Sequence, residues 1–421
     1  MLDNLLINSK NYKNKKDCRL CKSSKLSTVF SLKPTPLAND FVKICTKSQN
    51  KYPLEINICD NCGHVQLAHV VDSKLLFTNY LYASGTSKVF VRHFKVYAEY
   101  IKKLLDTPKN YPLAVDIGSN DGTLLNEFKN IGFNVIGVEP AKNLAEISKK
   151  NSIDVINGYF NKEAVKNIIS KKGKADVISA NNVFAHIDEL QNVIKDAYSL
   201  LSDEGLLVFE VSYLGSVLDG LLFDTIYHEH YSYLSFTSVV NILSMNGLMI
   251  FDIDELSTHG GSLRIYAQRT DTGIRSVSKA VQSMLIKERL AGMNSILFYS
   301  KFQKVVDKIK LEFLEFLINA KRNKLRVAAY SAAAKGNTLI NFLGIKSDLI
   351  HCIADKNIDK QGKFLPGSHI PIVSEKELEK YNPHYVIIMA WNIKDEIIKQ
   401  LKLNQNLHSK FVTVIPEIIV Q

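Results

Sequence analysis

Residues 115–122 read VDIGSNDG and follow directly on the apolar residues Leu113 and Ala114. An amphipathic stretch, TLLNEF at 123–128, comes next. An apolar strand, a glycine-containing turn and a helix whose first backbone N–H groups are unpaired together form the ligand-binding corner of many parallel α/β sheets. The stretch therefore predicts the first strand, turn and helix of a Rossmann-like domain.

The second strand of this domain, NVIGV at 134–138, ends at Glu139. An acidic side chain at this place can accept hydrogen bonds from both ribose hydroxyls of an adenosine. Asn120 stands where a dinucleotide-binding turn has its middle glycine, the third glycine of that pattern is missing, and the first strand carries the acidic Asp116 at its tip. These departures favour S-adenosylmethionine (SAM) over NAD.

We therefore predict a SAM site built from the turn and two further strand ends. Asp116 is expected to bind the amino group of the methionine part, and the fourth strand is expected to end near the sulfonium. The predicted cofactor-binding residues are Asp116, Gly118, Asn120, Gly122, Glu139, Asn181 and Asn182.

The chain of 421 residues is too long for one hydrophobic core, and its 46% hydrophobic and 23% charged residues are typical of globular proteins. Apolar runs alternate with helical stretches from about residue 90 to 270, and again beyond a charged helical stretch near 276–323. This alternation indicates parallel α/β sheets. We predict an α/β protein with a small N-terminal module (residues 1–75), a SAM-binding Rossmann-like domain (76–275) and a second, C-terminal Rossmann-like α/β domain (276–421).

Two CxxC pairs occur in the N-terminal module, Cys18 with Cys21 and Cys59 with Cys62. Each pair presents two thiolates from a tight turn, and four thiolates complete the tetrahedral shell of Zn²⁺. A redox CxxC normally occurs once, at a helix start, so two matched pairs favour a metal. Because four cysteines leave no open coordination position, we predict that the zinc is structural.

The chain has 53 Lys and Arg against 42 Asp and Glu, a formal charge of +11. The basic residues are mainly lysines spread through helical stretches, which favours a solvated surface over nucleic-acid binding. No run reaches the roughly 18 apolar residues of a membrane span, and the first residues lack a secretory apolar segment. We therefore expect a cytoplasmic protein with neither nucleic acid nor membrane as partner. The oligomeric state is left open by the sequence.

Titratable and hydrogen-bonding side chains are crowded in YHEHYSY at 227–233. Structural histidines usually occur singly, so this crowding favours a catalytic site. A metal site is the alternative, because His228 and His230 point the same way on an extended strand and Glu229 lies between them.

Two further segments are expected to contact a polar or anionic ligand. AAYSAAAKGNT at 328–338 predicts a strand, a turn of small residues and a helix whose N-terminus suits a diphosphate, with close helix packing as the alternative. HGGSLR at 259–264 predicts a basic pocket or a simple turn. The predicted substrate-binding residues are Lys335, Gly336, Asn337, Thr338, His259 and Arg264.

Together these motifs resemble the nucleotide-sugar C-methyltransferase family, enzymes that build branched-chain deoxysugars. The likeness extends over nearly the whole chain and is carried by CRLC with CDNCGHVQL, YLYASGTS, DIGSNDGTLL, GVEPAKN, ANNVFAHI, FDTIYHEHYSY, HGGSLR, AAYSAAAKGNT, PGSHIPI and AWN. It implies a zinc-binding module, a SAM-binding domain and a C-terminal domain that helps to hold a nucleotide-diphosphate sugar, the expected partner. It also implies removal of a proton beside a ketone and attack of the enolate on the SAM methyl group.

The resemblance places the base at His230, with Glu229 orienting it or setting its tautomer. Tyr227, His186 and Tyr82 are then expected to donate hydrogen bonds to the developing enolate oxygen. A histidine suits the role of base because its ordinary pKa of about 6.5 leaves much of it neutral at physiological pH. An O- or N-methyltransferase of a sugar and a non-catalytic sugar-nucleotide-binding protein are the alternatives.

Replacement of Cys59 by Ser is expected to lower the zinc content and destabilise the N-terminal module, because the four thiolates bind one ion cooperatively. Metal analysis of the purified protein measures this. Cys352→Ser, outside both pairs, is the control and should keep a full zinc equivalent. Zinc-free native protein, or a full equivalent in Cys59→Ser, would contradict the assignment.

Overall fold

The computed structural model describes residues 11–44, 49–77, 83–86, 88–105, 109–403 and 407–421. Tyr82, one of the expected donors, lies outside these residues. The described chain contains sheets of four, seven and six strands and a two-stranded ribbon. Within it, no helix combines the length and the apolar character needed to cross a membrane.

The N-terminal part consists of short strands around the cysteine turns. Its elements are β1 (Tyr12–Asn14), β2 (Leu26–Thr35), β3 (Tyr52–Cys59), β4 (Val65–Leu67), β5 (His69–Val71) and α1 (Ser73–Phe77). β3 pairs antiparallel with both β2 and β4, and β1 pairs with β5. Buried and half-buried residues alternate along most of β3, as expected for a strand with one face on the core.

The middle part contains the seven-stranded sheet. Its elements are α2 (Lys88–Leu105), β6 (Leu113–Ile117), α3 (Thr123–Asn130), β7 (Asn134–Glu139), α4 (Lys142–Lys150), β8 (Val155–Asn157), α5 (Lys162–Lys172), β9 (Ala175–Asn181), α6 (Leu190–Leu200), β10 (Leu201–Ser212), α7 (Leu214–Asp219), β11 (Ser232–Tyr233), α8 (Phe236–Ser244), β12 (Leu248–Leu256) and β13 (Ser262–Arg269). The strand order is β12-β13-β10-β9-β6-β7-β8; β6 to β10 run parallel, and β13 is antiparallel to both neighbours. β6 is buried along its whole length, which explains its uninterrupted apolar sequence.

The C-terminal part contains the six-stranded sheet. Its elements are α9 (Lys279–Ala291), α10 (Ile296–Tyr299), α11 (Phe302–Arg322), β14 (Val327–Tyr330), α12 (Ala334–Leu343), β15 (Ile353–Ala354), β16 (Ile372–Val373), α13 (Glu375–Tyr381), β17 (Tyr385–Ile388), α14 (Lys394–Lys402), β18 (Lys410–Thr413) and β19 (Ile419–Val420). The order is β16-β15-β14-β17-β18-β19, parallel except for β19. Short 3-10 helices lie in the connections at Ser84–Thr86, Phe184–His186, Phe223–Thr225, Thr258–Gly260 and Trp391–Ile393.

The N-terminal part shares a sheet with the middle part and shares hydrophobic cores with both other parts. β11 belongs to the middle part of the chain but pairs antiparallel with β4, so it becomes the fourth strand of the N-terminal sheet. One core contains side chains of β2 and β3 together with α11 and α12. Another joins Cys18 and Leu20 to the seven-stranded sheet. The N-terminal part therefore packs against both parallel-sheet domains.

Candidate active site

A cleft of about 1960 Å³ lies where the three parts meet. Its walls include the carboxyl ends of β6, β7 and β9 in the seven-stranded sheet and of β14 and β15 in the six-stranded sheet. Asn39 of the N-terminal part also lines it. Open parallel sheets bind ligands at the carboxyl ends of their strands, so two such edges on one cleft indicate a site for two ligands.

The predicted SAM turn lies on the wall of this cleft. Gly118 has a φ of 66°, and a Cβ atom there would lie 2.6 Å from Cγ2 of Val183, so a larger residue would displace that side chain. Asp116 and Asn120 also line the cleft. Gly122 is not among the described residues that line it; this glycine immediately precedes α3 and lets the helix begin.

Glu139 lines the cleft at the end of β7 and holds the turn in shape. Its Oε2 accepts a hydrogen bond from the backbone N–H of Asn120 and its Oε1 from that of Ala141, each at 2.8 Å. Burial raises the pKa of Glu139, and these two donors oppose the rise. Asp116 accepts a hydrogen bond from Ser179 Oγ at 2.6 Å, and burial raises the pKa of Asp116 to about 7. Two buried carboxyl groups therefore flank the predicted cofactor position.

The end of β9 brings an amide group to the same wall. Asn181 and Asn182 both line the cleft. Both polar atoms of the Asn181 side chain are shielded from solvent, and neither has a hydrogen-bond partner among the described residues. A buried amide without partners costs free energy, so Asn181 indicates a polar ligand at this point.

The four predicted zinc ligands converge. Their Sγ atoms lie within 4.8 Å of one another, and the Cys18–Cys62 and Cys21–Cys59 pairs are 3.5 Å apart. Zn–S bonds of about 2.3 Å place tetrahedral sulfurs roughly 3.8 Å apart, so the group fits Zn²⁺ with no open position. None of the four cysteines lines the cleft. The metal site is therefore structural and separate from the chemistry.

His230 lies on the cleft wall beside two other predicted catalytic residues. Its Nδ1 is 2.6 Å from the carbonyl oxygen of Thr225, which places the proton on Nδ1 and leaves Nε2 to accept one. Its ring centroid is 4.1 Å from that of Tyr227 and 4.8 Å from that of His186. Burial lowers the pKa of His230 well below its usual range, so the imidazole is neutral at physiological pH. This geometry suits a general base.

His186 has the same proton arrangement as His230. Its Nδ1 is 2.8 Å from the carbonyl oxygen of Glu229 and donates to it. Burial lowers the pKa of His186 to about 4, so Nε2 carries no proton at physiological pH. The expected role of His186 as a donor to an enolate oxygen is therefore corrected: in this state His186 can accept a proton but cannot donate from Nε2.

Glu229 does not orient His230. The Thr225 carbonyl group takes that role, and Oε1 of Glu229 instead accepts a hydrogen bond from Nδ2 of Asn39 at 2.7 Å. The reason is local: the chain turns between Tyr227 and His230, whose backbone groups are hydrogen-bonded at 2.9 Å, so the neighbouring side chains at 229 and 230 diverge. Burial raises the pKa of Glu229 to about 7, and the Asn39 amide opposes this rise.

The alternative of a metal site in YHEH finds no support. Nε2 of His228 lies 3.3 and 3.2 Å from the carbonyl oxygens of Tyr52 and Pro53. Within the described part of the chain, the four cysteines form the one group of side chains suited to a metal. His228 therefore fastens the segment to β3, while His230 faces the cleft.

His259 and Arg264 do not form a common pocket. His259 lines the cleft, 5.2 Å between ring centroids from Phe90, and burial lowers the pKa of His259 to about 4. Arg264 is buried on β13, where its Nε and Nη2 donate to Oε1 of Glu210 at 2.8 and 2.6 Å. Since its guanidinium group is held by Glu210 and it is absent from the described cleft wall, the expected ligand contact of Arg264 is corrected.

Of the four residues predicted to bind the diphosphate, only one lines the cleft. Gly336, Asn337 and Thr338 are buried in α12 and do not belong to the described cleft wall. Thr338 Oγ1 donates to the carbonyl oxygen of Ala334 at 3.1 Å. For these three residues the alternative of close helix packing applies, because a Cβ atom at Gly336 would lie 2.7 Å from Cβ of Met389 and the Asn337 side chain accepts a hydrogen bond from Asn341 at 3.1 Å.

Lys335, in contrast, lines the cleft. Its Nζ lies 4.5 Å from the Trp391 ring, is shielded from solvent and has no hydrogen-bond partner among the residues described. Burial lowers the pKa of Lys335, and the carboxyl group of Asp224 opposes this. Trp391 Nε1 donates to Oδ2 of Asp224 at 2.7 Å. An ammonium group in this setting is available to an anionic ligand.

Sequence reasoning missed Asn39, Asp224 and Trp391. Asp224 and Trp391 stand in the FDTIYHEHYSY and AWN segments of the resemblance, but nothing in either segment shows that the two side chains meet. Asn39 carries no local signal, because its partner Glu229 is 190 residues further along the chain.

The seven-stranded sheet, the glycine turn and the acidic end of β7 define a SAM-dependent methyltransferase. Three family models match in succession: "Putative zinc binding domain" over residues 18–77, "Methyltransferase domain" over 90–252 and "C-methyltransferase C-terminal domain" over 257–416. The chain is 30% identical to the C-methyltransferase NovU of Streptomyces niveus over 403 residues, 95% of this chain and 96% of NovU. The chain belongs to the C-methyltransferase family, which confirms the resemblance, the enzymatic activity, and SAM and zinc as cofactors.

Solved structures resemble a smaller part of the chain. The magnesium protoporphyrin IX methyltransferase ChlM from Synechocystis PCC 6803, with bound SAH, is 16% identical and covers 42% of this chain and 83% of its own, at a TM-score of 0.34. A SAM-dependent methyltransferase from Clostridium acetobutylicum ATCC 824 is 13% identical and covers 42% of this chain and 92% of its own, at 0.35.

Glu139→Ala is expected to weaken SAM binding by roughly 1.5 to 3 kcal/mol, the range for hydrogen bonds to a charged acceptor. Gly118→Val should abolish binding, because the added side chain meets Val183 and the residue has a positive φ. Titration calorimetry with SAM measures both, with the exposed Glu146→Ala on α4 as control. Unchanged affinity in both variants would show that SAM binds elsewhere.

Proposed function

We propose that this enzyme transfers the SAM methyl group to a carbon beside the ketone of a nucleotide-linked 4-keto-6-deoxysugar. The observation that carries the proposal is the placement of His230, a neutral imidazole with Nε2 ready to accept a proton, on a cleft that adjoins two parallel sheets. A carbon acid needs such a base before it can act as a nucleophile.

In the proposed reaction, Nε2 of His230 takes the proton from the α-carbon, and the electron pair of the broken C–H bond moves toward the ketone oxygen. The hydroxyl group of Tyr227 donates a hydrogen bond to this developing oxyanion. Bound SAM supplies the methyl group that the carbon takes up, which leaves S-adenosylhomocysteine. The resemblance to the family is the one reason to assign Tyr82 as a second donor. His186 is the second candidate base, because its Nε2 is likewise unprotonated.

Residues at the carboxyl ends of the strands in the six-stranded sheet are evidence that the other part of the substrate is a nucleotide. Asp355, at the end of β15, accepts hydrogen bonds from the backbone N–H groups of Ala332 at 2.7 Å and Asn357 at 2.8 Å. Glu139 has the same arrangement at the end of the second strand of the SAM domain. We infer that this crevice holds the nucleoside, with the diphosphate at Lys335 and the first N–H groups of α12.

His230→Asn is expected to leave SAM and sugar-nucleotide binding nearly intact while turnover falls by roughly 10²-fold or more, the usual contribution of a positioned base. The assay incubates SAM with 4-keto-6-deoxyhexoses linked to different nucleoside diphosphates and measures S-adenosylhomocysteine and a product heavier by one methyl group. The exposed His408→Asn is the control. Near-normal turnover in His230→Asn together with an inactive His186→Asn would assign the proton to His186.

Lys335→Ala is expected to raise KM for the sugar nucleotide more than it lowers kcat, because an ammonium group on a distant phosphate binds substrate and transition state alike. Steady-state kinetics with the substrate identified above measures this, and Lys308→Ala on the exposed face of α11 serves as the control. An unaltered KM would show that Lys335 does not contact the diphosphate.

A further inference from the structure

Asn39 lies in the loop that follows β2, in the N-terminal part, yet it lines the same cleft as His230. The loop folds back on itself through hydrogen bonds from Asp40 N–H to the Leu37 carbonyl oxygen at 3.2 Å and from Phe41 N–H to that of Asn39 at 3.0 Å. Neither zinc ligation nor the SAM turn requires an amide side chain at this position. We therefore look for the partner of the Asn39 side chain in the cleft.

The contact of Asn39 is with Glu229. Asn39 Nδ2 donates to Oε1 of Glu229 at 2.7 Å, and Glu229 is buried and lines the cleft. Oε2 of Glu229 is shielded from solvent and has no hydrogen-bond partner in the part of the chain that the structure describes. A buried carboxyl oxygen without a partner is costly, so the arrangement leaves Oε2 for a ligand.

The loop that carries Asn39 is held by the C-terminal domain. Val42 and Phe364 exchange backbone hydrogen bonds at 3.2 and 2.8 Å. Gly367 has a φ of 75°, and a Cβ atom there would lie 2.9 Å from Cγ of Pro36. Gly367 N–H also donates to Oε1 of Gln49 at 2.8 Å. Phe364 and the PGSHIPI segment at 366–372 therefore hold the loop from which Asn39 reaches Glu229.

We propose that Asn39 is a positioning residue of the methyl-transfer centre: it fixes the Glu229 carboxyl group so that Oε2 binds a hydroxyl group of the sugar. The inference rests on the proposed sugar-nucleotide substrate and adds a contact with the sugar itself. It also gives the N-terminal part a share in substrate recognition, because the amide that sets the acceptor comes from that part. The bond to Asn39 further opposes the rise in the Glu229 pKa caused by burial and so favours the ionised acceptor.

The test compares binding of two ligands by calorimetry in the presence of S-adenosylhomocysteine, so that no turnover occurs. One ligand is the nucleoside-diphosphate-linked 4-keto-6-deoxyhexose that the wild-type protein methylates, and the other is the free nucleoside diphosphate. Asn39→Leu should weaken the sugar nucleotide by about ten-fold or more, the effect of losing a hydrogen bond at a charged group, and should leave the free diphosphate unchanged. A merely structural defect would weaken both.

A double-mutant cycle shows whether Asn39 acts through Glu229. In a Glu229→Ala background, Asn39→Leu should change sugar-nucleotide affinity less than two-fold. Asn57→Leu on β3 is the matched control; Asn57 bonds to Thr28 and does not line the cleft, so both affinities should stay at the wild-type level. Asn39→Ala, which removes the amide donor and adds no bulk or charge, gives the same test if Asn39→Leu loses zinc or folds poorly.

Equal losses in the wild-type and Glu229→Ala backgrounds, or an unchanged affinity in Asn39→Leu, would overturn the role of Asn39. Those outcomes can be distinguished from the result expected if the proposed sugar-nucleotide function is wrong. In that case the wild-type protein itself would neither bind nor methylate any of the sugar nucleotides, whatever residue stands at position 39.

Discussion

The zinc turn and the YHEHYSY segment at 227–233 are joined through one short strand, β4. Cys59 and Cys62 bracket the turn that leads from β3 into β4, and the Cys59 N–H group bonds to the His64 carbonyl oxygen at 2.8 Å. β4 then pairs with Ser232 and Tyr233, the last residues of YHEHYSY. Metal ligation therefore fixes the strand with which the end of this segment pairs. A metal outside the cleft thus limits the positions that His230 can take.

The cleft is built from groups that are costly to bury, and each cost is offset differently. Glu139 and Asp355 each accept two backbone N–H groups, so their charges are satisfied by the turns that they hold. Glu210, which does not itself line the cleft, is neutralised by Arg264. Asn181, Lys335 and Oε2 of Glu229 have no such compensation from the residues described. In the proposed function, bound ligands supply the missing hydrogen bonds of these three groups.

The chemistry of individual motifs was predictable wherever the relevant neighbours are close in sequence. The turn at 115–122 and the CxxC pairs carry their own geometry, because backbone conformation and ligand spacing are local properties. Assignments that depended on the direction of a side chain failed more often. Gly336 to Thr338 stand in a suggestive segment but are buried within the protein, and Arg264 is bound to Glu210. Neighbouring residues on a helix or strand point to different sides, and a motif does not show which side faces the ligand.

The sequence alone predicted the two α/β domains, the four zinc ligands, the SAM turn and the cluster around His230, since each follows from periodicity or short-range spacing. The tertiary structure established which atoms meet. In the structure the Thr225 carbonyl group orients His230, and Asn39 donates to Glu229 across 190 residues. Trp391 donates a hydrogen bond to Asp224. These contacts arise only when the three parts pack around one cleft, because hydrogen bonds between distant segments leave no periodic trace in the chain.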